Sequence, residues 1–219
     1  MYIAIDLDDV ILDFVGNLVN VLNTEYNAGL TQEDITEWDL SKKLDLIVGE
    51  SWWAWWKRRD WLWAQAPAIP GAIGGLEKLR RDGHYLEIVT AKPRWAEAQT
   101  FRWLGKWRPP VHRVTIVPVE QKIKKSEVTA AELLIDDKPA NCEEFLQADR
   151  MAILYERPHN RKYKIEWNEH QVVNMSTPFL HKTNRHCCPK HCRHFDKKYD
   201  FGVAADWGDV LRHVEAMSS

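Results

Sequence analysis

The sequence predicts an α/β protein in which helices cover both faces of a parallel sheet, with a helical insertion after the first strand. Short apolar runs that end in acidic residues, such as 2–5 and 133–135, are typical of buried strands. From residue 72 onward such runs alternate with helical patterns, which indicates a parallel sheet built from strand–helix–strand units. Residues 15–68 have mainly helical patterns, so we expect them to form the insertion.

The first part of the chain predicts one strand, Tyr2–Ile5, followed by helices. Apolar residues recur at helical spacing from 15 to 26, and Asn27-Ala28-Gly29 provides a stop. Thr31 and Asp34 are spaced like a capping box that starts a second helical stretch. Pro67 and Pro70-Gly71 end this stretch, so 31–66 is predicted to be mainly helical.

The rest of the chain alternates between the two kinds of element. Gly83 closes one predicted helix, and Pro93 is placed at the first position of another. The predicted strands are 85–89, 114–117, 133–135 and 152–155, and the bounded helices are 72–82, 139–146 and 206–215.

Composition excludes several classes of protein. The 219 residues are 45% hydrophobic and 28% charged, as in an ordinary globular protein. With a net charge of −2, no overall basic field attracts nucleic acid, so a nucleic-acid partner is not expected. No apolar run approaches the ~20 residues that span a bilayer. The N-terminal segment lacks the basic start of a signal peptide, so we expect a cytoplasmic protein without a membrane partner.

Polar residues that can carry chemistry fall at the predicted carboxyl ends of the strands, where ligands bind in such sheets. The first strand is followed by two carboxylates in an Asp-x-Asp pattern, and the last of the central strands is followed by an acidic pair. These features are, in chain order, Asp6-Leu7-Asp8-Asp9-Val10, Thr90, the cluster Lys122, Lys124 and Lys125, and Asp136-Asp137.

Phosphoryl transfer requires such a set. One carboxylate can attack phosphorus and form an aspartyl-phosphate, and a second can protonate the leaving oxygen and then activate water. Mg²⁺ offsets the repulsion between clustered acids and an anionic substrate, while lysine and threonine hold phosphate oxygens. Each feature alone has an ordinary explanation as a solvated turn, a helix cap or a lysine-rich face. Together, in this order, they predict a phosphoryl-transfer site.

These motifs resemble those of the haloacid dehalogenase-like superfamily. Within it, the sequence is most similar to the 5′(3′)-deoxyribonucleotidases. The similarity extends over nearly the whole chain and is weak across 28–60 and 161–203. The stretches that carry it are DLDDVILDF (6–14), APAIPGA (66–72), VTAKP (89–93), KSEVTAAELLIDDKP (125–139), YERPHN (155–160) and ADWGDVL (205–211).

The resemblance implies a Rossmann-like core, residues 1–14 and 69–219, with a small helical cap formed by 15–68. It implies a Mg²⁺-dependent phosphatase whose partner is a small-molecule nucleotide, specifically a nucleoside monophosphate. The oligomeric state stays open and includes a dimer. Two positions depart from the family pattern: Asp9 replaces a glycine, which adds charge near the metal, and Ala91 replaces a serine that helps to hold phosphate.

The resemblance also assigns roles to individual residues. Asp6 would be the nucleophile and a metal ligand, and Asp8 would be the general acid/base and lend its backbone carbonyl to the metal. Thr90 and Lys125 would bind phosphate. The magnesium site would be completed by Asp136 or Asp137.

Twelve tryptophans are present, and six of them lie between 52 and 63. Trp52, Trp55 and Trp56 share one helical face with Trp53 beside them, which predicts an aromatic core for the cap. The basic residues 57–59 are expected to form a solvated face.

Four residues are predicted to bind the substrate. Trp61 and Trp63 precede the return to the core, and the matching stretch of the resembled family is aromatic and stacks on the base. Phe14 would form a second wall, and Lys92 is the fourth residue predicted to bind substrate. Stacking contributes ~1–3 kcal/mol per base, which favours nucleotides over sugar phosphates.

The segment 186–194 contains three cysteines and three histidines. This composition predicts a structural zinc site with Cys187, Cys192 and one or two neighbouring histidines as ligands. The spacing is not that of paired CxxC motifs, so reduced cysteines without a metal are an equally compatible interpretation.

Two alternative functions stay open. The first is a phosphatase for another small phosphomonoester or for nucleic-acid ends. The second is a catalytically silent nucleotide-binding protein, against which the complete set of motifs argues.

Overall fold

A computed structural model describes residues 1–37, 41–161 and 201–218. Its strands are β1 (Tyr2–Ile5), β2 (Tyr85–Lys92), β3 (Arg113–Pro118), β4 (Leu133–Asp136), β5 (Met151–Tyr155) and β6 (Phe201–Ala204). They form one sheet in the order β3-β2-β1-β4-β5-β6, and every neighbouring pair is parallel. The chain winds outward from β1 on one side and then from β4 on the other, so the topological switch point lies between β1 and β4.

Helices connect the strands and cover both faces of the sheet. The helices are α1 (Phe14–Tyr26), α2 (Ser41–Val48), α3 (Trp52–Lys57), α4 (Trp61–Gln65), α5 (Ala72–Arg81), α6 (Glu97–Trp107), α7 (Lys125–Val128), α8 (Pro139–Gln147) and α9 (Trp207–Ser218). We call α1–α4 the cap helices, since they lie between β1 and the first helix of the alternating part, where the insertion was predicted.

Successive residues of the central strands enter two different cores, which is the pattern of a sheet buried on both faces. Ile3 and Ile5 of β1 pack in a cluster that also contains residues of the cap helices, α5 and α9. Ala4 lies in a second cluster with Leu134 and with Phe145 of α8. The predicted α/β class with helices on both faces is therefore confirmed.

Three details differ from the sequence-based expectation. β2 continues to Lys92 instead of ending at 89, because it stays paired with β3 through Lys92↔Pro118. Pro93 precedes a 3-10 turn at Arg94–Ala96, so α6 begins only at Glu97. The edge strand β6 was not predicted, because four residues with a central glycine give too short an apolar pattern.

The aromatic core predicted for the cap is confirmed for Trp52 and Trp55, which are buried. The indole of Trp55 donates a hydrogen bond to Tyr26 Oη at 2.6 Å, which ties α3 to α1. Trp56 is half-buried, and Trp53 is 57% exposed and lies at the edge of this cluster.

Cys187 and Cys192, the predicted zinc ligands, lie outside the described residues. Across the described ranges, every helix is too short or too polar to cross a membrane.

Candidate active site

The ends of β1 and β4 bring three carboxylates together at the switch point. Ile5 is paired with Ile135, and the Asp6 amide donates to the Ile135 carbonyl at 2.8 Å, so Asp6 lies beside the end of β4. Asp136 and Asp137 follow Ile135 directly. One ligand atom from each of the three carboxylates lies within 4.8 Å of the others, as was predicted for strands that end at one edge.

The loop after β1 is tightly folded. The amides of Ile11 and Leu12 donate to the carbonyl of Leu7 at 3.0 and 2.8 Å. The indole of Trp207, on α9, donates to the Val10 carbonyl at 2.9 Å and anchors the loop from the far end of the chain. Asp9 has φ 55°, in the left-handed region that favours glycine, so a glycine, as in the resembled family, would adopt this conformation without strain.

Lys125, at the start of α7, joins two of the carboxylates. Its ammonium contacts Asp6 Oδ1 at 2.8 Å and Asp136 Oδ2 at 2.7 Å, and its side chain is only 4% exposed. Burial alone would lower the pKa of Lys125, but the two carboxylates raise it above its ordinary value. A permanent positive charge therefore lies beside the predicted nucleophile.

The two adjacent aspartates differ in their hydrogen bonds. Asp136 accepts from the Lys138 amide at 2.8 Å and from Asn141 Nδ2 at 3.0 Å, in addition to Lys125. Burial raises its pKa to about 6. Asp137 Oδ2 contacts His159 Nε2 at 2.9 Å, whereas Oδ1 is buried and has no partner within the described residues. Burial and the neighbouring carboxylates raise the pKa of Asp137 well above its ordinary range.

A hard divalent cation fits this arrangement. Three buried carboxylates repel one another, and an unpaired buried carboxylate oxygen is costly without a partner. Oxygen donors in such a cluster are the ligands that Mg²⁺ prefers. Among the side chains described, this is the group of His, Cys, Asp and Glu residues close enough together to hold a metal ion.

Thr90 lies in β2, two residues after Ile88, which is paired with Ile5 of β1, and it is 1% exposed. Its Oγ1 is buried and makes no hydrogen bond to another described residue. A phosphate oxygen would satisfy this hydroxyl, which fits the predicted role.

Asp8 extends toward the cap helices and is held by two side chains. Trp63 Nε1, on α4, donates to Asp8 Oδ2 at 3.1 Å, and the ammonium of Lys92 contacts both Asp8 oxygens. Lys92 is 1% exposed, and burial lowers its pKa although the Asp8 carboxylate opposes the shift. The ammonium of Lys92 is thus paired with Asp8, and substrate binding by Lys92 stays a prediction.

A cavity of about 550 Å³ opens above these residues. Its lining includes the charged residues Asp6, Asp8 and Lys125 and the aromatic residues Phe14, Trp52, Trp53, Trp56 and Trp63. The cavity is therefore large enough for a small phosphomonoester with an aromatic group.

The structure corrects two predicted substrate contacts. Phe14 and Trp63 do not form separate walls, because their rings stack on each other with centroids 5.2 Å apart and leave no gap for a base. Trp61 is half-buried against the core and is not among the described residues that line the cavity.

Other residues of the site had no predicted role. Arg157 Nη2 donates to Asp13 Oδ1 at 2.8 Å and to Asp9 Oδ1 at 3.4 Å, and Asn160 Nδ2 donates to the Asp137 carbonyl at 2.6 Å. With His159, these residues come from the stretch YERPHN, which contributed to the resemblance. The contacts of Arg157 with Asp9 and Asp13 span 148 and 144 positions, and those of His159 and Asn160 with Asp137 span 22 and 23, so the local pattern could not indicate them.

Residues 1–186 match the profile of the protein family described as 5′ nucleotidase, deoxy (pyrimidine), cytosolic type C. A protein of Halalkalibacterium halodurans, provisionally assigned as a nucleotidase, is 28% identical over 160 residues, which are 72% of this chain and 80% of that protein. The 5′(3′)-deoxyribonucleotidase of Bacillus subtilis is 27% identical over 162 residues, covering 73% and 87% of the two chains.

Solved structures show the same fold. L-2-haloacid dehalogenase from Xanthobacter autotrophicus aligns with a TM-score of 0.55 at 12% identity, covering 99% of this chain and 98% of that one. A HAD family hydrolase from Deinococcus radiodurans aligns with a TM-score of 0.51 at 16% identity, covering 72% and 82%. At these identities the similarity establishes the architecture alone.

Proposed function

The chain belongs to the 5′ nucleotidase, deoxy (pyrimidine), cytosolic type C family and is a phosphatase of the nucleotidase type, and we propose that it hydrolyses nucleoside monophosphates through an aspartyl-phosphate on Asp6. One observation supports this substrate class above others. The same cavity is lined by the predicted reactive carboxylates Asp6 and Asp8, by Lys125 and by tryptophan side chains that include Trp53 and Trp56. A phosphate would meet the charged groups, and a nucleobase would meet the aromatic rings.

In the proposed reaction, an Asp6 oxygen attacks phosphorus and the bond between phosphorus and the nucleoside oxygen breaks. Asp8 donates a proton to that oxygen, so the nucleoside leaves as a neutral alcohol. Asp8 then takes a proton from water, which attacks the aspartyl-phosphate, releases inorganic phosphate and restores Asp6. Lys125 and Thr90 hold the phosphate oxygens and stabilise the charge that develops on them.

We propose Mg²⁺ as the bound cation, which would shield the phosphate from the acidic residues and polarise it. Asp6 and Asp137 would supply carboxylate oxygens, and the backbone carbonyl of Asp8 would complete the protein ligands. Of the two adjacent aspartates, Asp137 is favoured as the direct ligand because its Oδ1 has no described partner. The oxygens of Asp136 accept hydrogen bonds from Lys125, Asn141 and the Lys138 amide, so Asp136 would support the site through these contacts and not as a direct metal ligand.

The cap of residues 15–68 would provide the surface for the base. Trp53 and Trp56 line the cavity and are less buried than Trp63, so their rings are the favoured stacking partners. The preferred base and sugar stay open. A cytoplasmic location and the oligomeric state stay predictions from the sequence.

Phosphate release from a panel of substrates tests the proposal. The panel contains ribo- and deoxyribonucleoside monophosphates, hexose phosphates and p-nitrophenyl phosphate, each with Mg²⁺ and with excess chelator. We expect at least one nucleotide to exceed the hexose phosphates in kcat/KM by about fivefold or more, since one stacked base contributes ~1–3 kcal/mol.

Three results would contradict parts of the proposal. Equal kcat/KM for nucleotides and hexose phosphates would indicate a general phosphatase. Nucleotide binding without phosphate release would indicate a silent binding protein. Full activity in chelator would exclude the metal.

A further inference from the structure

Two side chains from different parts of the fold hold Asp8. Lys92 comes from the end of β2, and its ammonium contacts both carboxylate oxygens. Trp63 comes from α4 in the cap, and its indole N–H donates to Asp8 Oδ2 at 3.1 Å. The Lys92 ammonium also lies 4.8 Å from the centre of the Trp63 ring, so the three groups contact one another.

The direction of the Trp63 N–H is fixed by packing. Phe14 and Trp56 stack on its ring with centroids 5.2 and 4.8 Å away, and Trp95 packs edge-on at 5.5 Å. Trp63 is only 1% exposed, so little of its ring is accessible to a base. A donor held this firmly can orient its acceptor with little loss of entropy on binding.

Asp8 has more need of such support than the other carboxylates of the site. Its side chain is 26% exposed, whereas those of Asp6 and Asp136 are 11% and 0% exposed. A general acid has to lie within hydrogen-bond reach of the leaving oxygen, and a displacement of about 1 Å can cost on the order of 10²-fold in rate. The bonds from Trp63 and Lys92 restrict the Asp8 carboxylate to one orientation.

We propose that Trp63 and Lys92 are positioning residues that orient Asp8 for proton transfer to the leaving oxygen, with Trp63 linking the cap to this step. The inference rests on the proposed role of Asp8 and not on the identity of the substrate. It replaces base stacking as the role of Trp63, and substrate binding as the role of Lys92.

A series of aryl phosphates with leaving groups of graded basicity tests this role. General-acid assistance matters most for the poorest leaving group and little for p-nitrophenolate. Trp63→Phe keeps an aromatic ring and removes the N–H. For the poorest leaving group we expect kcat/KM of this variant to fall about 10- to 100-fold, because a general acid contributes ~10²–10⁴-fold to the rate and only part of that contribution is lost. We expect less than about a threefold change for p-nitrophenyl phosphate.

The double variant with Asp8→Ala separates positioning from packing. If Trp63 acts through Asp8, Trp63→Phe has no further effect on kcat/KM when Asp8 is already alanine. Trp103→Phe is the matched control, because it removes a buried indole hydrogen bond to the Ala66 carbonyl, 2.9 Å long, without touching Asp8. This control is expected to leave the dependence on the leaving group unchanged.

The proposal would be overturned if Trp63→Phe lowered kcat/KM equally for all leaving groups. It would also be overturned if Trp63→Phe caused the same loss of kcat/KM when Asp8 is already alanine. If the thermal transition shows that Trp63→Phe does not fold, Lys92→Met can be compared in the same leaving-group series and in the same Asp8→Ala background. The inhibition constant of inorganic phosphate is then measured as an added readout. An unchanged constant supports positioning, whereas a large increase shows that Lys92 binds phosphate. Because the series contains no nucleoside, a failed nucleotide preference would contradict the proposed substrate and leave this result intact.

Discussion

Lys125 is the counter-charge of the carboxylate cluster, so Lys125→Met is expected to destabilise the protein strongly when no metal is bound. Its ammonium lies 2.8 Å from Asp6 Oδ1 and 2.7 Å from Asp136 Oδ2. At an effective dielectric constant near 20, each such pair attracts by about 6 kcal/mol before the cost of desolvation. The variant keeps an aliphatic chain of similar length and therefore removes mainly the charge.

The net loss is smaller than the sum of the two attractions. Removing the ammonium also removes its own desolvation cost, which is several kcal/mol. The carboxylates can in addition take up protons, since burial already raises the pKa of Asp136 to about 6. Removing one partner of a buried ion pair typically costs about 3–5 kcal/mol, and we expect the free energy of unfolding in chelator to fall by this amount.

Urea denaturation in chelator and in Mg²⁺ measures this effect. A loss of about 3–5 kcal/mol shifts the midpoint by about 1–2.5 M for a slope of roughly 2–3 kcal/mol/M. The difference from wild type is expected to narrow in Mg²⁺, which supplies positive charge to the same carboxylates. Lys124→Met is the matched control: this side chain is 51% exposed and its nearest carboxylate, on Glu144, is 4.0 Å away, so a change within about 0.5 kcal/mol is expected. If both variants unfold at the same urea concentration, the cluster is not charged as proposed.

Three further predictions concern the nucleophile, the metal and a histidine outside the site. Asp6→Asn is expected to fold normally and to release no phosphate, because an amide cannot form the aspartyl-phosphate; wild-type turnover would exclude the covalent route. Added Mg²⁺ should raise the thermal midpoint of wild type, by the equivalent of about 2.7 kcal/mol at a hundredfold excess over Kd, and should have little effect on Asp137→Asn. Burial lowers the pKa of His84 below 6.5, so the unfolded chain binds more protons there and this residue costs stability as the pH falls through 6.5. The urea midpoint at pH 5.5 minus that at pH 7.5 should therefore be more positive for His84→Gln than for wild type, and an unchanged value would contradict this.

The parts of the site that were predictable depend on local patterns. Asp6 and Asp136 each follow a short apolar strand, and the carboxyl ends of parallel strands meet at one edge of a sheet. Their proximity follows from these two facts without knowledge of the strand order. Thr90 and Lys125 were placed by the same reasoning together with the family resemblance.

The unpredicted contacts join residues that are distant in sequence. Lys92 looks like a basic residue at a strand end, which is usually solvated. It is buried because Asp8, 84 positions away, supplies its counter-charge. Trp63 lies in an aromatic run whose stacking role was inferred from the resembled family. Its hydrogen bond to Asp8 depends on how α4 packs over the β1 loop, which no local pattern encodes.

Asp9 shows how a departure from the family pattern can be accommodated. The sequence predicts added negative charge near the metal, and the structure shows which groups contact the Asp9 carboxylate. The Asp9 carboxylate accepts from the Val15 amide at 3.0 Å and contacts Arg157, while burial and the neighbouring Asp137 raise its pKa to about 7. Arg157 also contacts Asp13, so the carboxylate joins the β1 loop to the start of α1 and to the segment after β5. Because these bonds join Asp9 to Val15 and Arg157 and involve none of Asp6, Lys125 and Thr90, the substitution alters the support of the loop and preserves the groups proposed to carry the reaction.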